Sequence, residues 1–228
     1  DRIRKAGFEN INLDLMFGFP GQTLRELEDD VDALVRLNSE HVSIYALTVE
    51  ENSRFFTRNI RLQEEDDQAQ KYTAVTEWLA QAGFAQYEIS NYARPGRESY
   101  HNIHYWSGGE YIGLGVGAHS HIGRKRFWNV ARLNEYILRL EDNRSAEEEC
   151  EYLTEFEQMK EAVLLGLRMN CGIKIDDIRQ RFHGYFNEER QKKISDFIKD
   201  GFLMEEKGFL KTTAKGRLVL DELCARLI

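Results

Sequence analysis

The chain has 228 residues, 42% of them hydrophobic, and a formal net charge of −8 at pH 7. That is enough apolar material for a packed core, so wholesale disorder is excluded, and the length suits one large domain or two modest ones. The acidic balance argues against nucleic-acid binding through bulk charge. The chain has no apolar run of about 18 residues and no apolar stretch after the charged start Asp1–Lys5, so neither a membrane span nor a signal peptide is visible.

In chain order, Ala6-Gly7-Phe8 reads as a helix stop with Gly7 left-handed. With no initiator Met before it, the chain is expected to be an excised piece. Residues 11–17 read as an apolar strand interrupted by Asn12 and Asp14, ending in the turn Gly18-Phe19-Pro20-Gly21. Thr23 and Glu26 form a capping box ahead of a helix to about Leu37. A strand at 42–47, a loop at 50–60, a helix at 66–82 and a strand at 84–89 follow. Strand–helix–strand alternation predicts parallel pairing, with ligands at the carboxyl ends of the strands.

The stretch 90–129 holds four of the six histidines and a run of glycines. His101-Asn102-Ile103-His104-Tyr105-Trp106 is its sharpest constellation: imidazoles ligate metal or haem iron, and aromatic side chains wall a macrocycle. Gly113, Gly115 and Gly117 alternate with apolar residues, as a backbone does where something approaches closely. His119 and His121 would share one face of a strand. These histidines leave a His-based metal hydrolase open as a reading, and a non-catalytic interaction module is another.

A helix at 131–142 and a polar linker at 143–151 come next. From 152 onward, helices at 155–167, 174–182 and 187–200, a hairpin around Glu206-Lys207-Gly208 and a last helix at 214–227 read as a winged-helix-like module. Its acidic and basic residues nearly balance, which argues for packing rather than groove reading. The expected division is therefore 1–148 and 149–228. Cys150, Cys171 and Cys224 form no CxxC pair, so a disulfide framework is not expected and a reduced, cytoplasmic setting is.

Taken together, the segments 14–23 (DLMFGFPGQT), 41–47 (HVSIYAL), 87–93 (YEISNYA), His101-Asn102 with Tyr105-Trp106, and 113–120 resemble the oxygen-independent coproporphyrinogen III oxidase-like radical SAM family. The resemblance is nearest to its haem-chaperone branch and covers essentially the whole chain. It implies an α/β fold: the C-terminal part of a partial (β/α)6 barrel followed by a small winged-helix-like helical domain. It also implies a [4Fe–4S] cluster, S-adenosylmethionine and haem as cofactors, and a haem-acceptor protein as partner, a membrane-associated acceptor being one option. Asp14 matches the family's strand-end carboxylate at S-adenosylmethionine, and Thr48 falls at a second such strand end. His101, Asn102, Tyr105 and Trp106 match the segment linked to haem. The chain departs from the family in lacking the Cys-x-x-x-Cys-x-x-Cys cluster triplet, so the cluster ligands are expected outside it. The runner-up implied by the resemblance is oxidative decarboxylation of coproporphyrinogen III.

Overall fold

The computed structural model describes residues 2–51 and 53–228. Asp1, in the charged start, and Asn52, in the 50–60 loop, lie outside the described residues. The chain divides into two compact units, Asp1–Ser99 and Tyr100–Ile228.

The first unit opens with helix α1 (Arg2–Lys5), which stops where expected, with Gly7 at φ +92°. Strand β1 (Asn12–Phe17) then leads to α2 (Leu24–Arg36), whose Thr23–Glu26 capping box forms as read from the sequence. Strand β2 (His41–Ala46) follows, then a single turn α3 (Arg54–Thr57) inside the expected loop, then α4 (Glu65–Gln81). Strands β1 and β2 pair in parallel. Their alternate residues Leu13, Leu15, Phe17, Val42 and Ile44 pack with Leu27, Val31, Val75 and Leu79 of the helices into one core. Each fully buried side chain of this kind contributes about 1.5–3 kcal/mol relative to exposure.

The third strand differs from expectation. Residues 84–89 do not form one strand parallel to β2. Strand β3 (Ala85–Gln86) turns back into β4 (Asn91–Ala93), and β4 pairs antiparallel with both β2 and β3, giving the order β1-β2-β4-β3. The cause lies in Tyr87-Glu88-Ile89-Ser90. The fully buried Glu88 carboxylate accepts hydrogen bonds from the Ser90 amide (2.9 Å) and the Asn91 side chain, and the Tyr87 amide donates to the Asn91 carbonyl. A buried carboxylate satisfied inside the turn holds the reversal in place. The α/β character stands, and the described residues do not close into a barrel.

The second unit begins with α5 (Tyr100–Trp106). An antiparallel sheet follows, made of β5 (His119–Ile122), β6 (Lys125–Asn129) and β7 (Glu147–Tyr152), with α6 (Leu133–Glu141) between the last two. Strand β7 occupies most of the segment expected to be a linker and spans the expected boundary at 148. Its acidic residues stay mostly exposed, yet two pair across to β6: Lys125 with Glu147 at 2.7 Å, and Arg126 with Glu151 at 3.6 Å. Opposite charges across neighbouring strands favour the pairing.

The winged-helix-like part then follows the predicted order. It contains α7 (Glu155–Arg168), β8 (Ile173–Lys174), α8 (Ile175–Arg181), α9 (Glu188–Lys199), β9 (Leu203–Glu206) and β10 (Phe209–Thr212). The last predicted helix is broken into α10 (Ala214–Arg217) and α11 (Leu220–Leu227). Among the described residues no helix is long and apolar enough to cross a membrane.

Candidate functional site

The face of β1 and β2 turned away from the helices carries polar residues. Strand alternation and the parallel register put Asn12, Asp14 and Met16 beside His41, Ser43 and Tyr45. Asp14 lies third in a six-residue strand, ahead of the strand end that the resemblance implies, and is exposed. The Gly18 amide of the following turn is engaged elsewhere, donating to Gln22 Oε1 at 2.8 Å. Instead Asn12 Nδ2 donates to Asp14 Oδ1 at 2.7 Å. Asn12 Oδ1 in turn meets His41 Nδ1 at 2.6 Å and accepts from Ser43 Oγ at 3.1 Å, while His41 Nε2 lies 2.8 Å from the Tyr87 hydroxyl. Burial holds the His41 imidazole below its ordinary pKa, against the opposing pull of the Asp14 and Glu98 carboxylates. Thr48 sits just beyond β2, exposed, with its hydroxyl 3.4 Å from Glu50 Oε1. It lies five residues past Ser43, the register partner of Asp14, so the two expected cofactor contacts occupy different levels of the sheet.

On α5 the two histidines have different surroundings. His104 Nε2 is engaged by the Glu110 carbonyl at 2.7 Å, and its ring lies flat over Gly109, where an added Cβ would overlap it. His101 is exposed; its ring sits edge-on to Tyr105 with centroids 4.7 Å apart, and its nitrogens have no hydrogen-bond partner among the described residues. Tyr105 contacts Tyr111 at 4.5 Å, and Tyr111 contacts His121 at 6.2 Å, so a file of rings runs from α5 to β5. Trp106 is five residues from His101, roughly 140° around the helix. It lies under the Arg168 guanidinium at 4.2 Å, with its Nε1 buried. The structure thus brings His101 and Tyr105 together and sends Trp106 toward α7. Asn102 is half-buried on the same helix. Tyr111 was missed as a candidate; it stands five residues past Trp106, ahead of the glycines, with no spacing signal of its own.

Close backbone approach accounts for Gly113 only; Gly115 and Gly117 have open or ordinary space around a would-be Cβ and instead take positive φ, +109° and +62°. A Cβ on Gly113 would lie 2.2 Å from the His119 carbonyl oxygen. The Gly113 amide donates to Ser120 Oγ at 3.0 Å, and Asn129 Nδ2 donates to the Gly115 carbonyl at 2.9 Å. What nears this backbone is therefore β5 and β6. His119 stacks on Trp128 and His121 meets Tyr111, so the two imidazoles have separate aromatic partners. No group of three or more metal-ligating side chains occurs among the described residues, and the metal-hydrolase reading has no ligand set there.

The HemN C-terminal domain family matches residues 153–219. The heme chaperone HemW of Bacillus subtilis is 34% identical over 97% of this chain and 60% of its own length; that of Mycobacterium tuberculosis is 36% identical over 97% and 56%. The Escherichia coli HemW is 41% identical over 51% of this chain and 31% of its own. Over nearly its whole length the chain is thus similar to curated HemW haem chaperones. Escherichia coli coproporphyrinogen III oxidase (HemN), a radical SAM enzyme, shares the fold, with a TM-score of 0.80 at 22% identity over 98% of this chain and 56% of that one. The chain thus spans about three-fifths of the length of the curated relatives it matches.

The resemblance implies an iron–sulfur cluster, S-adenosylmethionine and haem, and the residues present fit these groups unequally. The cluster does not fit. Cys150 and Cys171 are exposed on β7 and after α7, while Cys224 is buried in α11 with its thiol pushed up to about 12, chiefly by burial. A cluster needs several thiolates in one place, and these three do not supply them. Asp14 fits a ligand with hydroxyl or ammonium groups, because it is exposed and its Oδ2 has no hydrogen bond among the described residues. His101 fits an iron ligand, being exposed with both ring nitrogens uncommitted; His104 is exposed too, but the Glu110 carbonyl engages its Nε2, which leaves Nδ1 alone for a ligand.

Proposed function

We propose that the full-length protein containing this chain is a haem chaperone of the radical SAM type, which binds haem and passes it to an acceptor protein in the cytoplasm. The observation that carries the reading is on α5: His101 has both ring nitrogens free beside Tyr105, whereas the His104 ring is oriented by the Glu110 carbonyl through its Nε2. Imidazole ligation needs an uncommitted nitrogen. In this reading His101 ligates the iron and Tyr105 packs against the macrocycle. Trp106, under Arg168, anchors α5 to α7, and Asn102 belongs to the same haem-facing segment. Asp14 contacts S-adenosylmethionine, and Thr48 serves the same cofactor from the end of β2. The cluster ligands come from outside this chain. S-adenosylmethionine, when bound to the cluster, supplies radical chemistry; the part assigned to this chain is binding and orientation. Identity to curated haem chaperones over nearly the whole chain supports this reading over decarboxylation.

The test is an anaerobic incubation of the reconstituted full-length protein with S-adenosylmethionine, reductant and coproporphyrinogen III, beside a haem-transfer assay to an apo-acceptor. Transfer of haem without loss of propionate carboxyl groups is expected. Stoichiometric decarboxylation to protoporphyrinogen would replace the chaperone reading with the oxidase one.

A further inference from the structure

Three sequence segments converge on Asp14 through side chains that the proposed function leaves unused. Asn12 lies two residues before it on β1, His41 begins β2, and Tyr87 sits in the turn between β3 and β4. The contacts are short and continuous: Tyr87 hydroxyl to His41 Nε2 at 2.8 Å, His41 Nδ1 to Asn12 Oδ1 at 2.6 Å, and Asn12 Nδ2 to Asp14 Oδ1 at 2.7 Å.

The donors can be assigned from chemistry. Asn12 must turn its amino group to the Asp14 carboxylate, which only accepts, so its carbonyl oxygen faces His41. Ser43 Oγ donates to that same oxygen, in keeping with this orientation, although a hydroxyl could equally accept from a turned amide. His41 must then carry its proton on Nδ1, leaving Nε2 to accept from Tyr87. A neutral imidazole has one donor and one acceptor nitrogen, which is what the two contacts require. Burial of His41, with 3% of its surface exposed, favours that neutral form. The exposed end of the chain is the carboxylate, and the locked end is beneath it.

We propose that Tyr87, His41 and Asn12 are positioning residues that hold the Asp14 carboxylate by one oxygen and present the other, unshared, to the hydroxyl or ammonium groups of S-adenosylmethionine. This rests on the reading of Asp14 as a cofactor contact. Without the His41 proton the Asn12 amide can turn over, and its carbonyl oxygen would then face the carboxylate and repel it. Tyr87 acts one step further back, by keeping the proton on Nδ1.

The experiment is calorimetric titration of the reconstituted full-length protein with S-adenosylmethionine, each variant being melted in parallel. Asp14→Asn tests the underlying reading. His41→Leu and Asn12→Ala should each weaken binding about fivefold to tenfold, the worth of one ordinary hydrogen bond, because they loosen the carboxylate without removing its own contact to the cofactor. Asn12 is exposed, so its variant folds even where His41→Leu does not. The double variant should bind as weakly as either single one, because both remove the same link. His41→Asn, which returns an amide donor near the Nδ1 position, should restore affinity to within about twofold of the original. Unchanged affinity in Asp14→Asn would remove the reading of Asp14 itself. Weakened binding there, with unchanged affinity in Asn12→Ala, would overturn the positioning role alone. Equal loss in His41→Leu and His41→Asn, tracking equal losses in melting temperature, would also overturn it, leaving His41 as a structural residue.

Discussion

Replacing Gly113 by alanine tests how the histidine-bearing unit is held together. The new Cβ would stand 2.2 Å from the His119 carbonyl oxygen and 2.9 Å from both the His119 carbonyl carbon and the Ala118 Cβ. Two of these are backbone atoms that cannot swing away, so the segment before the glycine must lift off β5. The Gly113 amide would lose Ser120 Oγ, and the paired backbone bonds between Tyr111 and His121, both 2.9 Å, would stretch. Overpacking of this kind costs about 1–3 kcal/mol, and each hydrogen bond lost adds about 1 kcal/mol. A total near 3 kcal/mol is expected. At about 2.1 cal/mol/K per residue, a unit of roughly 129 residues has an unfolding entropy near 0.27 kcal/mol/K, so its melting temperature should fall by about 11 °C. Gly123→Ala is the control: its Cβ would meet nothing within 4 Å, and only its φ of +60° opposes the change, at about 1–2 kcal/mol. Calorimetric melts of both variants decide. A Gly113→Ala melt within 2 °C of the parent would refute the close approach as the reason for the glycine.

Two further outcomes follow from the titrating groups. His41 has a folded-state pKa below its unfolded value near 6.5, so its neutral form contributes stability that is complete above that value and is lost as pH falls toward the folded pKa. The first unit should therefore melt lower at pH 5.5 than at pH 7.5, by a margin that shrinks in His41→Asn; an unchanged margin would show that other groups set it. With its thiol near 12 and 2% of its surface exposed, Cys224 should resist an aromatic disulfide reagent at pH 8 in the folded protein, while Cys150 and Cys171 react. Three rapid equivalents would contradict the burial of α11.

Much of this was legible in the sequence because the signals were local. The Thr23–Glu26 capping box, the Gly7 stop and the winged-helix order follow from side chains that satisfy their own backbone or fill one helical face. The reversal at Glu88 was not legible, since an acidic residue inside an apolar stretch gives no hint that it will be buried and satisfied by Ser90 and Asn91. Strand β7 was hidden for a related reason: its acidic run is exposed and reads as linker, and only the placement of Lys125 and Arg126 beside Glu147 and Glu151 shows it pairing with β6. At the candidate site, His101 and Tyr105 fall together at the i, i+4 spacing that sequence predicts, whereas Trp106 at i+5 does not. The linkage of Asn12, His41 and Tyr87 spans 75 residues and has no sequence period, so only the paired strands reveal it.

In the proposed function His101, and not His104, meets haem iron. The most direct test is a haem titration of the full-length protein followed at the Soret band, run on His101→Ala and His104→Ala beside thermal melts. His104 holds the Glu110 carbonyl, so its loss should cost about 1 kcal/mol, or about 4 °C for the second unit, and leave the haem spectrum unchanged. His101→Ala should barely move the melt yet lower haem affinity and shift the Soret band. A haem spectrum and affinity untouched by His101→Ala in a folded protein would contradict the claim.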